Sequence, residues 1–458
     1  MIVLSYLDAV DRFYLRYTNR LLARLTAARH FPISARVLYY MAACDGHTTR
    51  LEWLFTRWRV PYPKSWPGSR PASEMAATGG HLQTLQWCVA HCRTRRDDDN
   101  VCTAAAVGGQ METLRWAEAN RCPLHEGCCG GAAASGSLDM LRWLRLECGC
   151  DWNEDVISQA ALHGHFELLK WARAERAPWN ASCCANAAAG GHLEILKWLR
   201  SEGAPWNEDT MYEAARGGHL HVLEWAYEHG MDYLDDEIHN LAARGGFLDV
   251  IKWAWNEHDI GMFANASYCA AISGHLHILR WLHENDCPID KNKICSVAAR
   301  LDRVDMLCWG REIDCRCFID DLGAIAGANG SLNVLRWIRE HDCFGWDIEG
   351  FNEGVCTNAA RNNQLAVLKW AKTENGARFG VHTTAAAAMG GHLATLQWLR
   401  SEGGASWDER TIAAADRHGH FAVVVWAQRN GAPTGDLGEH EQCSCSSYWS
   451  SGDDEMMM

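Results

Sequence analysis

The sequence has no excess of basic residues: 43 lysines and arginines stand against 57 acidic residues, a formal net charge of −14. A phosphate backbone is gripped by clustered Lys and Arg that displace counterions, so nucleic acid is not an expected partner. There is also no apolar run of the roughly 18 residues that a membrane-spanning helix needs. The opening MIVLSYLDAV lacks the basic flank of a signal peptide. No HExxH, no GxxxxGK followed by Ser or Thr, and no GxSxG occurs. Together these absences predict a soluble cytoplasmic protein without a recognisable catalytic centre or cofactor.

What the sequence does have is one phrase repeated. Taking a tryptophan as the ruler, it returns at Trp53, Trp87, Trp116, Trp143, Trp171, Trp198, Trp225, Trp253, Trp281, Trp309, Trp337, Trp370, Trp398 and Trp426, mostly 27 to 29 residues apart. A fixed period of this size signals a repeat array and outranks local propensity in setting the fold. Other columns keep step. Seven residues before the tryptophan is Gly in twelve of fourteen cases, the exceptions being Asp302 and Asn363. Ten and eleven before it is an Ala pair, broken only by Gly327 and Asp416, and two before it is Leu, replaced by Ile251 and Val424.

Each repeat reads as two helices. In DTMYEAAR (209–216) small and apolar residues recur at helical spacing, and the alanines permit close approach of a neighbouring helix. Gly217 and Gly218 end this helix, since Gly accepts the left-handed conformation at little steric cost. The second helix is expected from Leu220 to about Glu228, with Leu220, Leu223 and Ala226 on its buried face and Trp225 beside it as a large interlayer filler. No strand-like alternation separates the units. A pair of short helices has too little apolar surface to fold alone, so the layers must support one another by stacking. The connecting loops APWN (177–180 and 204–207), CDWN (150–153), CPID (287–290) and SWDE (406–409) read as a stop followed by the N-cap of the next helix. Their tryptophans, Trp152, Trp179, Trp206 and Trp407, are expected to cover the edge of the stack.

The segments AARGGHLHVLEW (214–225) and AAAGGHLEILKW (187–198) resemble the centre of an ankyrin repeat, and the resemblance runs from about residue 36 to 434. Two departures are evident. Asp209, Thr210, Met211 and Tyr212 stand where the family has Thr-Pro-Leu-His, and the period is about 28 rather than 33 residues. The missing residues would come from the projecting β-hairpin finger. The resemblance thus implies an all-α, ankyrin-like solenoid of about fourteen helix-turn-helix repeats with shortened or absent fingers. Such short, Trp-rich repeats are similar to those of ankyrin-like proteins in large DNA viruses and some protists. What the resemblance implies for function is the non-catalytic binding of other proteins by a monomer.

Two flanking segments differ. IVLSYLDAVDRFYLRYTNRLLARL (2–25), within a segment 1–35, resembles the latter part of an F-box, which docks on the adaptor of cullin ubiquitin ligases, with Leu4, Tyr6, Leu7, Asp8 and Asp11 matching. Leu4 and Leu7 would then be the adaptor-binding residues. The same segment also reads as an amphipathic cap on the first repeat. Residues 435–458 are rich in Gly, Ser and acid, a composition expected to be disordered.

The chemistry-bearing residues are columnar as well. Cys102, Cys129, Cys184, Cys295 and Cys356 lie fourteen before a motif tryptophan, while Cys122, Cys287, Cys315 and Cys343 lie six after one. Cysteines of one column sit about 8 to 10 Å apart in successive layers, beyond the roughly 7 Å limit for a disulfide. They are expected to be small buried hydrophobes. Metal binding around Cys128, Cys129, Cys148 and Cys150, or around Cys315 and Cys317, would need cysteines without the paired zinc-module spacing, and supports only a minor reading as a metal-dependent enzyme. The histidines six before the tryptophan, such as His192 and His219, are expected to satisfy neighbouring backbone groups. On the first helices, Arg216, Arg244 and Arg300 at nine before the tryptophan, and Tyr212 and Tyr268 at thirteen before it, are the candidate partner-binding residues, because Arg and Tyr are enriched at hot spots. A purely structural scaffold is the alternative.

Overall fold

The alanine pairs and the left-handed glycines dictate the architecture of the computed structural model, which describes residues 42–49, 51–52, 72–91, 100–258, 264–315, 319–341 and 348–434. The segment 1–35 with Leu4 and Leu7, the first motif tryptophan Trp53 and the tail 435–458 lie outside the described residues. Helices alternate with short turns throughout, and no strand occurs among the described residues, so no hairpin finger projects from these repeats. The fold is the all-α stack of helix pairs that the period predicts.

The chain forms two compact units. One runs to Ile238 and takes in Lys252–Ala254; the other comprises His239–Ile251 and Trp255 onward. Within the first unit, the first helices of successive repeats pack side by side: Val101–Val107, Glu126–Ala134, Asp155–Leu162, Ser182–Ala189 and Asp209–Gly217. In the second unit the same neighbours are Ala264–Ser273, Lys291–Arg300, Ile319–Asn329, Ile348–Arg361, Val381–Met389 and Glu409–Arg417. The paired alanines, Ala187 and Ala188 for example, are fully buried where these helices meet. A methyl group is small enough to let two helix backbones come close, and larger side chains here would force the layers apart.

The triplet Gly-Gly-His at the helix-helix turn is explained by the adjoining layer. A Cβ on Gly190 would run into the carbonyl oxygen of Leu162. At the equivalent turn a Cβ on Gly390 would run into the carbonyl oxygen of Arg361, which His392 Nε2 meets at 2.9 Å. Gly191, next to Gly190, has φ +71°, and a Cβ there would meet His219 Nδ1 of the following layer at 2.5 Å. Every residue seven before a motif tryptophan has positive φ, including the two that are not glycine: Asp302 (φ 57°) and Asn363 (φ 61°). Those two residues use their side chains to reach the next layer. Asp302 accepts from Val334 N at 2.9 Å and from Asn333 Nδ2 at 2.7 Å, and Asn363 Oδ1 accepts from Thr395 Oγ1 at 2.7 Å.

The second helix runs Leu220–Glu228 as expected, but its buried face is Val222, Leu223 and Ala226, with Leu220 only half-buried. The filler role of the motif tryptophan also divides. Trp309 is 2% exposed and Trp370 is 3% exposed, yet Trp225 is half-buried and stacks on His229 at 4.4 Å between ring centroids. Loop caps follow the sequence reading at Asn180, which accepts from Ser182 N at 3.0 Å, at Asp290 from Lys293 N at 3.0 Å, and at Asp408 from Arg410 N at 3.1 Å. Asn207 departs from it. Its amide donates to Asp209 Oδ2 at 2.9 Å while its own Oδ1 is buried without a partner.

Two outcomes follow for unfolding in urea. Gly191→Ala is expected to cost about 1 to 3 kcal/mol, from the strained φ and the displaced imidazole; an unchanged midpoint would show that the turn relaxes freely. Trp309→Ala is expected to cost about 3 to 5 kcal/mol and Trp225→Ala about half as much, and equal losses would contradict the difference in burial.

Candidate protein-interaction surface

The outward side of the first helices is built by what the inward side excludes. With the alanine pair and the column fourteen before the tryptophan turned into the stack, the column nine before it carries the exposed arginines, whereas the column thirteen before it lies at the boundary, buried at Ser158, Ala185 and Asn240 and half-buried at Tyr212 and Tyr268. Arg216, Arg244 and Arg300 are accordingly exposed, and Tyr212 and Tyr268 half-buried. Tyr212 and Arg216 lie one turn apart on the helix Asp209–Gly217 in the first unit; Arg244, Tyr268 and Arg300 lie on three different first helices of the second.

Their surroundings are polar and already partly engaged. The Tyr212 hydroxyl donates to Asp235 Oδ2 at 2.6 Å, and this bond to a carboxylate holds the phenol well above its ordinary pKa. Arg216 pairs with Glu213 on the preceding turn. The Lys293 ammonium stands 5.9 Å from the centre of the Tyr268 ring. None of these groups is poised to abstract a proton or attack a carbonyl; what they offer is aromatic surface and charged donors.

The histidine columns are taken up by the backbone. His219 Nε2 meets the carbonyl of Ala189 at 3.0 Å, His392 that of Arg361 at 2.9 Å and His420 that of Met389 at 2.9 Å, in each case the residue nine before the preceding tryptophan. His221 and His277, two residues after the column members His219 and His275, likewise meet the carbonyls of Gly191 and Gly246 at 3.1 Å. Among the described residues no group of three or more His, Cys, Asp or Glu could hold a metal ion. Cys128, Cys129 and Cys150 are buried and Cys148 half-buried, with Cys128 within 3.5 Å of Thr103 Oγ1 and Cys150 Sγ 3.3 Å from the carbonyl of His125. Cys317 lies outside the described residues. Burial pushes the Cys184 and Cys356 thiols up to about 12, which keeps them protonated and unreactive.

One repeated device escaped the sequence reading. Two residues after the motif tryptophan, Arg145, Arg173, Arg200 and Arg400 each lay a guanidinium over the loop tryptophan of the same repeat, at 4.8, 3.7, 4.2 and 4.2 Å from the ring centre of Trp152, Trp179, Trp206 and Trp407. The same arginines donate to loop carbonyls, Arg145 to Cys150 O and Arg173 to Ala177 O at 3.2 and 3.3 Å, and Arg200 and Arg400 to Ala204 O and Ala405 O. Three of these indoles continue to the next motif tryptophan, Trp152 and Trp407 edge-on to Trp171 and Trp426 at 5.9 and 5.8 Å and Trp206 tilted against Trp225 at 6.0 Å. The signal was present as an Arg column in step with the loop tryptophans. Cation–π pairs of this kind are worth about 0.5 to 2 kcal/mol each and fix the loops to the layers.

Against known families, the profile described as ankyrin repeats (many copies) matches residues 157–200, the stretch from the helix Asp155–Leu162 to the helix Leu193–Ser201. No curated protein matches the chain. No helix among the described residues is long and apolar enough to cross a membrane.

One member of the histidine column, His192, makes stability depend on pH. Burial depresses the pKa of His192 below its ordinary 6.5. A lowered folded pKa means that its contribution is complete above about pH 6.5 and is lost as pH falls through the folded value, because the unfolded chain takes up the proton first. Glutamine occupies the same column at Gln110 and Gln364. His192→Gln is therefore expected to flatten the loss of stability below pH 6.5 in urea titrations, and an acid limb as steep as that of the parent protein would contradict the assignment.

Proposed function

We propose that the chain is a non-catalytic protein-binding module, acting as a monomer in the cytoplasm, whose partners contact the outward columns of the first helices. The observation that carries this reading is the contrast between columns of one helix. The inward pair ten and eleven before the tryptophan is held to alanine, while the column nine before it varies and brings Arg216, Arg244 and Arg300 to the surface, with Tyr212 and Tyr268 half-buried on the same helices or their neighbours. Variation on a rigid frame is what recognition of a specific surface uses, and Tyr and Arg provide large contact area with few rotamers to freeze. The match to ankyrin repeats at residues 157–200 supports the same reading.

A narrower version follows from the F-box resemblance of residues 2–25. With Leu4 and Leu7 seated on a cullin-ligase adaptor, the helical stack would serve as the substrate-recognition arm of a ubiquitin ligase.

Affinity purification of the tagged full-length protein from its native cells tests both versions. Binding partners are expected, with Tyr268→Ala and Arg300→Ala each weakening capture of at least one partner about tenfold, the effect of losing a hot-spot side chain worth about 1.4 kcal/mol. Equal capture by parent and variants would remove this face from consideration. An adaptor that is retained by the parent and lost on Leu7→Asp would support the ligase version, and its absence from the purified set would end it.

A further inference from the structure

The sequence excludes disulfides between cysteines of the same column, but the fold brings two different columns together within one repeat. The residue fourteen before the motif tryptophan, on the inner side of the first helix, packs against the residue at the exit of the second helix. Three repeats carry cysteine at both places: Cys102 with Cys122, Cys129 with Cys150, and Cys295 with Cys315. Cys102 Sγ lies 3.7 Å from the carbonyl of Cys122, and Cys129 and Cys150 are both buried. Cys295 Sγ and Cys315 Sγ are 2.9 Å apart.

Two of the pairs share a further contact. Cys315 Sγ is 3.3 Å from the carbonyl of Lys291, and Cys150 Sγ is 3.3 Å from that of His125. Lys291 and His125 both stand eighteen residues before their motif tryptophan, so the same corner of the repeat holds the exit thiol each time. Other repeats keep the geometry without the chemistry: Cys184 faces a repeat exit occupied by Ala204, and Cys356 one occupied by Ala377.

We propose that Cys295 and Cys315 form a reversible redox site, in which a low-molecular-weight disulfide oxidises them to a covalent staple across one helix pair. A disulfide needs a sulfur-sulfur distance of about 2.05 Å, so closing the 2.9 Å gap takes a shift of about 0.9 Å. Cys315 is half-buried and Cys295 only 3% exposed, which sets the order of events. The Cys315 thiolate attacks one sulfur of the small disulfide, whose S–S bond breaks and whose other half leaves as a thiolate that takes up a proton. The Cys295 thiolate then attacks the Cys315 sulfur and releases the second half in the same way. In balance, two protein thiols and one small disulfide give one protein disulfide and two small thiols; the protein loses two electrons and the small disulfide gains them. The bond joins the helix Lys291–Arg300 to the exit of the helix Val304–Glu312, closing a loop within a single layer.

Full-length native protein incubated with oxidised glutathione, quenched in acid, unfolded, alkylated and mapped by peptide mass spectrometry tests the site. The expected product is a peptide pair linked through Cys295 and Cys315 that is separated again by dithiothreitol, with Cys184 and Cys356 recovered as alkylated thiols. Cys295→Ser is expected to halt the reaction with glutathione attached to Cys315; should that variant fail to fold, Cys315→Ser must leave Cys295 unmodified. Recovery of Cys295 and Cys315 as two separate alkylated thiols from the parent protein, or linkage of either to another cysteine, would overturn the proposal.

Discussion

In several repeats a layer is fastened to the one before it at a single carbonyl oxygen. The helix-helix turn approaches the preceding first helix so closely that a Cβ on Gly390 would strike the carbonyl oxygen of Arg361, the next residue turns left-handed, and the imidazole that follows meets that oxygen at 2.9 Å. The three requirements fall on three consecutive residues, Gly390, Gly391 and His392, which is why the triplet recurs as a block. A buried carbonyl left without a donor would cost about 1 to 3 kcal/mol, so the bond and the close approach must be kept together. Where histidine is replaced, Ser331 still reaches the carbonyl of Arg300 at 3.3 Å.

Around that contact the layers divide the remaining work between small and large side chains. The first helices meet through alanine and cysteine, and their dispersion contacts multiply because the backbones come close. The large aromatic rings gather at the other edge, where guanidinium and indole alternate from Arg200 to Trp206 to Trp225. This edge gains from the amphipathic character of both groups, since each buries an apolar face and leaves a polar rim in water. The first helices are thereby held rigid from behind, and their outward side chains are free to vary without loss of packing.

Much of this could be read from the chain itself. A Gly seven before twelve of the fourteen tryptophans announced a left-handed turn, and the structure keeps that conformation even at Asp302 and Asn363. The alanine pairs announced a helix interface, and the limits of the helix Leu220–Glu228 were legible to the residue. What was not legible depends on rotation and on partners distant in sequence. A shift of the buried stripe by part of a turn exchanged Leu220 for Val222, and the repeat period cannot tell a tryptophan at the edge, such as Trp225, from one in the interior, such as Trp309. The cysteine pairs were missed because columns were compared down the stack, whereas the closest approach lies across a single repeat. Among the proposed contact residues, Tyr212 has a neighbour, Asp235, that no spacing rule could supply, whereas the pairing of Arg216 with Glu213 follows from their spacing of three on one helix.

The left-handed residue that closes the second helix stands five after the motif tryptophan at Arg121, Arg176 and Gly203, but six after it at Gly149, Gly376 and Gly404. At the first and last of these the added residue is taken in as a widened π turn, Trp143–Glu147 and Leu399–Gly403, while before Gly376 the helix Leu365–Asn375 runs on unbroken. Insertions of one residue are thus absorbed where they arise, and the registration of every later repeat is left intact. Genetic drift in length can act on a single repeat without propagating along the chain, so that neighbouring repeats are able to diverge independently of one another.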